Sequence, residues 1–150
     1  MDYVKYIRSM VGNNKIILNA SGGIIVKDNK ILLQKRSDNG KWGLFGGIME
    51  MDETFQECAK REIKEEIGLD VNLDYLIGIY HNFDASWPSG DKAHCICVVY
   101  KCSIISGEPT IDSESLEAKW FDFDKIPEIG SKDHQAAIND FLAGVKNNIR

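Results

Sequence analysis

GIMEMDETFQECAKREIKEEIGL, residues 47–69, is the stretch that decides how this chain is read. Thr54 followed three residues later by Glu57 is a capping-box signature, so a helix begins there. Gly68 stands where a left-handed C′ residue would end it. Between the two, Phe55, Ala59, Ile63 and Ile67 recur every four residues and form one apolar stripe. With Phe55 at zero and about 100° of turn per residue, the stripe covers roughly 0° to 120°, Glu66 falls near 20°, Glu62 near 340° and Glu65 near 280°. Two of the three carboxylates therefore flank or overlap the buried edge.

Such crowding needs compensation. Like charges at i,i+3 and i,i+4 repel by about 0.2–0.5 kcal/mol per pair on an exposed helix, and partial burial raises that cost. Arg61 can bridge to Glu65 at i+4, but one arginine does not neutralise Glu62, Glu65 and Glu66 together. Hard carboxylate oxygens suit Mg²⁺ or Mn²⁺, ions that also bind substrate phosphates. A glutamate-rich helix is by default a solvated face. Here, however, Gly47, Glu53, Arg61, Glu62, Ile63, Glu65, Glu66, Gly68 and Leu69 all fall at fixed spacings, a coincidence expected about once in a billion start points at average usage. Composition alone does not account for it.

The same residues resemble the Nudix hydrolase family, whose box G-x5-E-x7-R-E-U-x-E-E-x-G-U (U aliphatic) is matched at every fixed position. The preceding Ser37-Asp38-Asn39-Gly40-Lys41-Trp42-Gly43-Leu44-Phe45-Gly46-Gly47 is similar to the family's W-G-L-P-G-G approach. Downstream, Leu116-Glu117-Ala118-Lys119-Trp120-Phe121 with Ile126-Pro127 is similar to its closing strand and turn. The resemblance spans about residues 20–130. Phe45 departs from the pattern, since proline is common there and would stiffen the turn.

The resemblance implies an α+β fold, an α/β/α sandwich around a central mixed β-sheet, and metal-dependent hydrolysis of the pyrophosphate linkage in a nucleoside diphosphate derivative. ADP-ribose or a nucleotide sugar leads. The alternatives are an oxidised nucleoside triphosphate pool-cleaning pyrophosphatase and, in another class, a nucleotide-sensing module without catalysis. The intact glutamate set argues against that last one. Mg²⁺ or Mn²⁺ would sit on Glu62, Glu65 and Glu66 with the Gly46 carbonyl, which glycine's lack of a side chain leaves approachable. Arg61 and Glu53 would orient the glutamates by salt bridging, beside Gly47. The general base is a box acid, Glu62 or Glu65, or an acid of the distant segment, Glu114 or Glu117. Glu117 is preferred because it alternates into a strand with Lys119 and Phe121. Arg36, at the end of a strand, is a candidate phosphate contact. Trp87 is the best candidate to stack on a nucleobase among Trp42, Tyr80, Phe83 and Trp87, since it sits in a Pro/Gly loop. His81, His94 and His134 show no ligand spacing and read as structural or exposed.

Composition sets the outer bounds. A chain of 150 residues with 43% hydrophobic and 27% charged residues is expected to be one globular domain over residues 1–150, with a short helical extension at about 1–12. The formal net charge of −5 argues against coating nucleic acid. There is no apolar run for a membrane span and no basic-then-apolar signal segment. Cys58, Cys95, Cys97 and Cys102 make no C-x-x-C pair or zinc spacing and read as buried thiols, so the cytoplasm is the expected compartment. The expected partner is a small nucleotide, and a homodimer is left open.

Strands are expected over 21–26 and 31–35, joined at Lys27-Asp28-Asn29. Long strands over 71–82 and 94–102 flank a loop holding Trp87-Pro88-Ser89-Gly90-Asp91, and another lies near 118–121. Ala136, Ala137, Phe141, Leu142 and Val145 mark a closing amphipathic helix. Residues 2–10 read as a short helix.

Overall fold

The computed structural model of the protein describes residues 2–113 and 115–150. In chain order the elements are α1 (Tyr3–Val11), β1 (Ile16–Lys27), β2 (Lys30–Arg36), β3 (Trp42–Gly43), β4 (Phe45–Ile48), α2 (Phe55–Ile67), β5 (Asp70–Ser86), β6 (Lys92–Ser106), β7 (Ser115–Asp122), α3 (Lys132–Leu142) and β8 (Asn148–Ile149). They form one mixed sheet ordered β3-β2-β1-β6-β5-β8, with β4 paired to β1 and β7 to β2. The pairs β1–β6 and β5–β8 are parallel, and the others are antiparallel.

Local chemistry explains the connections. Asp28 and Asn29 carry φ of 52° and 58°, the pair of left-handed residues that a two-residue hairpin between twisted strands requires. Thr54 and Glu57 close the expected capping box in both directions, at 3.1 and 2.9 Å. Gly68, at φ 76°, ends α2 with its N–H on the Lys64 carbonyl.

Alternation along β1 and β2 splits the core between the two sheet faces. Ile24, Ile31 and Leu33 join Ile77, Tyr80, Val99, Ala137 and Ile138 on the α3 side. Ile25 and Leu32 join Phe45, Ala59, Ile63, Ile67, Val98 and Tyr100 on the α2 side. The expected α/β/α sandwich is the observed one. Ile63, fully buried, contributes about 1.5–3 kcal/mol through burial alone. α1 packs Tyr3 and Ile7 on a third cluster around Leu18, Ala93 and Cys95. Arg8 ties that helix to the β5–β6 hairpin through the Lys92 carbonyl, at 2.8 Å.

The structure adds elements that the pattern misses. The glycine approach to the box is not a loop alone but holds β3 and β4. β4 lies so tightly over β1 that a Cβ on Gly22 or Gly46 would strike the opposing backbone. β8 has two residues, too few to show alternation. Val145 lies beyond α3, because Gly144 at φ 75° turns the chain and the Val145 N–H closes on the Asp140 carbonyl. Among the described residues no helix is long and apolar enough to cross a membrane.

Candidate active site

The wheel angles of α2 translate into graded burial. Glu66 is 2% exposed, Glu62 is half-buried, and the Glu65 side chain keeps 59% of its surface. β4 passes directly over Glu66 and Glu62. The Gly46 N–H donates to Glu66 Oε1 at 2.8 Å. A Cβ on Gly47 would land on the Glu62 carboxyl group, so any side chain there would push that carboxylate out of its place; the constraint is space and not an unusual φ.

Arg61 gathers the remaining acids. It grips Glu53 with two donors, at 2.6 and 2.9 Å, and reaches Glu62 at 2.8 Å and Glu65 at 3.2 Å through Nη1. The paired guanidinium holds the Glu53 carboxyl down at about 2, and the same partners raise Arg61 above its ordinary value. Glu53 also accepts the Glu50 N–H, which fixes the loop leading into α2.

Glu66 is treated differently. Among the described residues no salt bridge reaches it. Its partners are the Gly46 N–H and, on Oε2 at 2.7 Å, the Gln34 amide. Burial pushes its carboxyl up to about 8, with Glu62 adding to the rise. Three clustered carboxylates, one of them buried against neutral donors only, make a hard-oxygen donor set that suits a divalent cation. Gln34 is the residue that sequence reasoning misses. A glutamine inside Ile31-Leu32-Leu33-Gln34 does signal a polar side chain on a buried face, and that is the clue that could have found it.

The acids sit in the wall of a cleft of about 1020 Å³. Gly46, Gly47, Glu62, Glu65, Glu66, Arg36 and Trp87 all line it. Arg36 is held by Asp38 at 3.1 and 3.2 Å. Trp87 is half-buried against the Leu18 cluster, at the tip where its N–H meets the Asp91 carbonyl. Glu117 is not brought there. It stands exposed on β7 opposite Lys35, outside the cleft lining, in the expected alternation with Lys119. Glu114, the other distant acid, lies outside the described residues.

The histidines have local partners. His81 and His94 share a 2.8 Å contact. His134, whose pKa is lowered by burial, accepts the Leu44 N–H on Nδ1 at 3.2 Å. Its ligating atom lies within 4.8 Å of those of Cys97 and Asp133. A neutral imidazole has one lone pair, and Leu44 takes it, so this trio lacks an open imidazole ligand. Asp133 Oδ1 and Ser131 Oγ, on the same wall, are buried without a hydrogen-bond partner among the described residues.

Comparison with known proteins agrees with this fold. The NUDIX domain profile matches residues 18–141. An ADP-ribose pyrophosphatase of Methanocaldococcus jannaschii is 40% identical over 126 residues, covering 82% of this chain and 72% of its own. An oxidized purine nucleoside triphosphate hydrolase of Danio rerio is 34% identical over 108 residues, covering 69% and 65%. The crystal structure of a MutT NUDIX hydrolase from Burkholderia pseudomallei superposes with a TM-score of 0.73 at 29% identity, over 83% of this chain and 97% of that one.

Proposed function

The chain belongs to the Nudix hydrolase family, and on that premise we propose that it cleaves a nucleoside diphosphate joined to a sugar, with ADP-ribose as the leading substrate. The reaction class is hydrolysis of a pyrophosphate linkage in a nucleotide derivative. The observation that carries the narrower reading is the cleft of about 1020 Å³, with acids in one part of its wall and Trp87, Asp133 and Ser131 in others. Such a cleft suits a ligand with a charged middle and two polar ends. The name of the Methanocaldococcus relative supports the same choice.

In this reading Glu62, Glu65 and Glu66 hold Mg²⁺ or Mn²⁺ together with the Gly46 carbonyl. When bound, the ion would neutralise phosphate oxygens and lower the pKa of a coordinated water. Arg61 and Glu53 keep Glu62 and Glu65 turned toward the cleft. Water attacks one phosphorus, the bridging P–O bond breaks, and two phosphate monoesters leave. We assign the water's proton to Glu65, the most exposed of the three. Arg36 contacts a phosphate, and Trp87 stacks on the base. Asp133 Oδ1 is free to accept a donor from the nucleoside or sugar. The whole chain, 1–150, acts as one unit, with α1 bracing the hairpin that carries Trp87.

The test is a hydrolysis screen of the purified protein with Mg²⁺ and Mn²⁺, with products identified by mass. ADP-ribose is expected to yield AMP and ribose 5-phosphate, with loss of turnover in chelator. Preference for an oxidised nucleoside triphosphate, releasing pyrophosphate, would transfer the assignment to the activity named for the Danio rerio relative. Trp87→Ala is expected to raise KM about tenfold with little change in kcat, since stacking is shared by ground and transition states. An unchanged KM would move base recognition elsewhere.

A further inference from the structure

Gln34 is fully buried, and every polar atom of its side chain is used. Nε2 donates to Glu66 Oε2 at 2.7 Å and to the Leu44 carbonyl at 3.1 Å. The Leu44 carbonyl can only accept, so the amide presents its N–H groups on this side, toward Glu66 as well. Its carbonyl oxygen is then left pointing the other way, out of reach of solvent, and it needs a donor. The Ser115 hydroxyl supplies it.

Ser115 owes that position to a defect in the sheet. Along β7, Ala118 and Trp120 face α2, as do Leu32 and Gln34 on β2. Strict alternation would place Leu116 next on that face and turn Ser115 away. Instead the register slips: Lys35 opposes Glu117, but Arg36 opposes Ser115. The extra residue, Leu116, is expelled to 58% exposure, and Ser115 swings inward to 7%. A bulge of this kind re-aims a side chain, and such bulges concentrate next to active sites.

We propose that Gln34 and Ser115 are positioning residues, a chain in which the bulge-aimed hydroxyl fixes the Gln34 amide and the amide fixes the Glu66 carboxylate for its cation. Outer partners of metal ligands commonly act in this way, setting the ligand's orientation without touching the ion. The inference rests on the reading of Glu66 as a cation ligand. It adds that the β7 bulge, although outside the sequence box, is part of the same apparatus.

The test is Mn²⁺ binding to the purified full chain without substrate, read from the electron paramagnetic resonance signal of free ion. Melting in chelator is recorded beside it. Gln34→Leu is expected to weaken Mn²⁺ by roughly 10- to 100-fold, and Ser115→Ala by about tenfold. Ser115→Thr, which keeps the hydroxyl, should stay within about twofold of the wild type. The double variant Gln34→Leu/Ser115→Ala should bind no worse than Gln34→Leu alone, because the two act in series. Glu66→Gln is the reference. If it leaves Mn²⁺ binding intact, the cation-site reading itself fails. If it abolishes binding while Gln34→Leu and Ser115→Ala bind as the wild type does, the positioning chain is overturned. Should Gln34→Leu not fold, the serine pair decides: loss in Ser115→Ala with retention in Ser115→Thr supports the chain, and equal binding in the two overturns it.

Discussion

Glu66 and Asp140 are both carboxylates with almost no exposed surface, at 2% and 4%, and they lie on opposite faces of the same sheet. Their surroundings could hardly differ more. Asp140 is answered from within the chain: Arg150 donates to both of its oxygens at 3.0 and 2.8 Å, Tyr80 at 2.7 Å and Asn148 at 3.2 Å. That guanidinium holds the Asp140 carboxyl down at about 2. Among the described residues Glu66 accepts hydrogen bonds only from an amide and a backbone N–H, and burial lifts it to about 8 although the Arg36 charge pulls the other way. A buried charge left unanswered costs stability. The Asp140 network repays that cost with protein, tying α3 to β8 and β5. In the proposed reading, the Glu66 site leaves that cost to a cation from solution. Burial alone therefore does not mark a functional acid; the proposed role of Glu66 rests on burial without an ion-paired partner among the described residues.

The largest expected effect separates the two residues by activity. Glu66→Gln and Glu62→Gln should lower kcat by roughly 10²–10⁴, the scale of losing a charged catalytic group. Their metal-free melting temperatures should hold or rise, since Glu62→Gln relieves repulsion in the cluster and Glu66→Gln removes the cost of burying an ionisable acid. Glu57→Gln, exposed in the first turn of α2, should leave turnover nearly intact. Equal turnover in all three variants would end the metal-site assignment.

Asp140→Asn should show the reverse profile. Removing the charge leaves Arg150 and Tyr80 with a weaker acceptor, at about 1–3 kcal/mol, or a fall in Tm of roughly 3–10 °C for a chain of this size. Turnover at 25 °C should be close to wild type. Were Asp140→Asn to lose activity while keeping its Tm, Asp140 would join the functional acids and the contrast would collapse.

The contrast also shows what a sequence can and cannot disclose. α2 is legible to the residue, because the Thr54–Glu57 box, the stripe and Gly68 are local signals whose partners lie within one or two turns. The ranking Glu66, Glu62, Glu65 by burial is legible for the same reason, since it follows from helical angle. β4 is not, because its strand character comes from Gly22 admitting Gly46 across the sheet. Nor is Ser115, whose direction depends on a bulge that reverses the expected alternation. Glu117 reads as a candidate base from that same alternation, yet where β7 pairs with β2 it stands outside the cleft lining. Asp140 carries no signal at all: its partners Tyr80 and Arg150 are far along the chain in one case and at its end in the other.

The smallest expected effect is the most direct probe of the two environments: stability against pH, measured by urea unfolding in chelator. Asp140 has a folded value of about 2, below its ordinary 3.8, so its contribution is present above the ordinary value and lost as pH falls through the folded one. Glu66 has a folded value of about 8, above its ordinary 4.5, so the sign reverses. The neutral form is favoured in the fold, stability is full below pH 4.5, and it declines as pH rises toward 8. Glu66→Gln should flatten that decline and leave the acid limb alone, while Asp140→Asn should flatten the acid limb and leave the decline alone. Saturating Mg²⁺ should also remove the decline in the wild type, because a bound cation favours the ionised carboxylate, but should do nothing for Glu66→Gln. If the decline survives in Glu66→Gln, some other group is responsible, and Glu66 is not the unanswered charge that the comparison takes it to be.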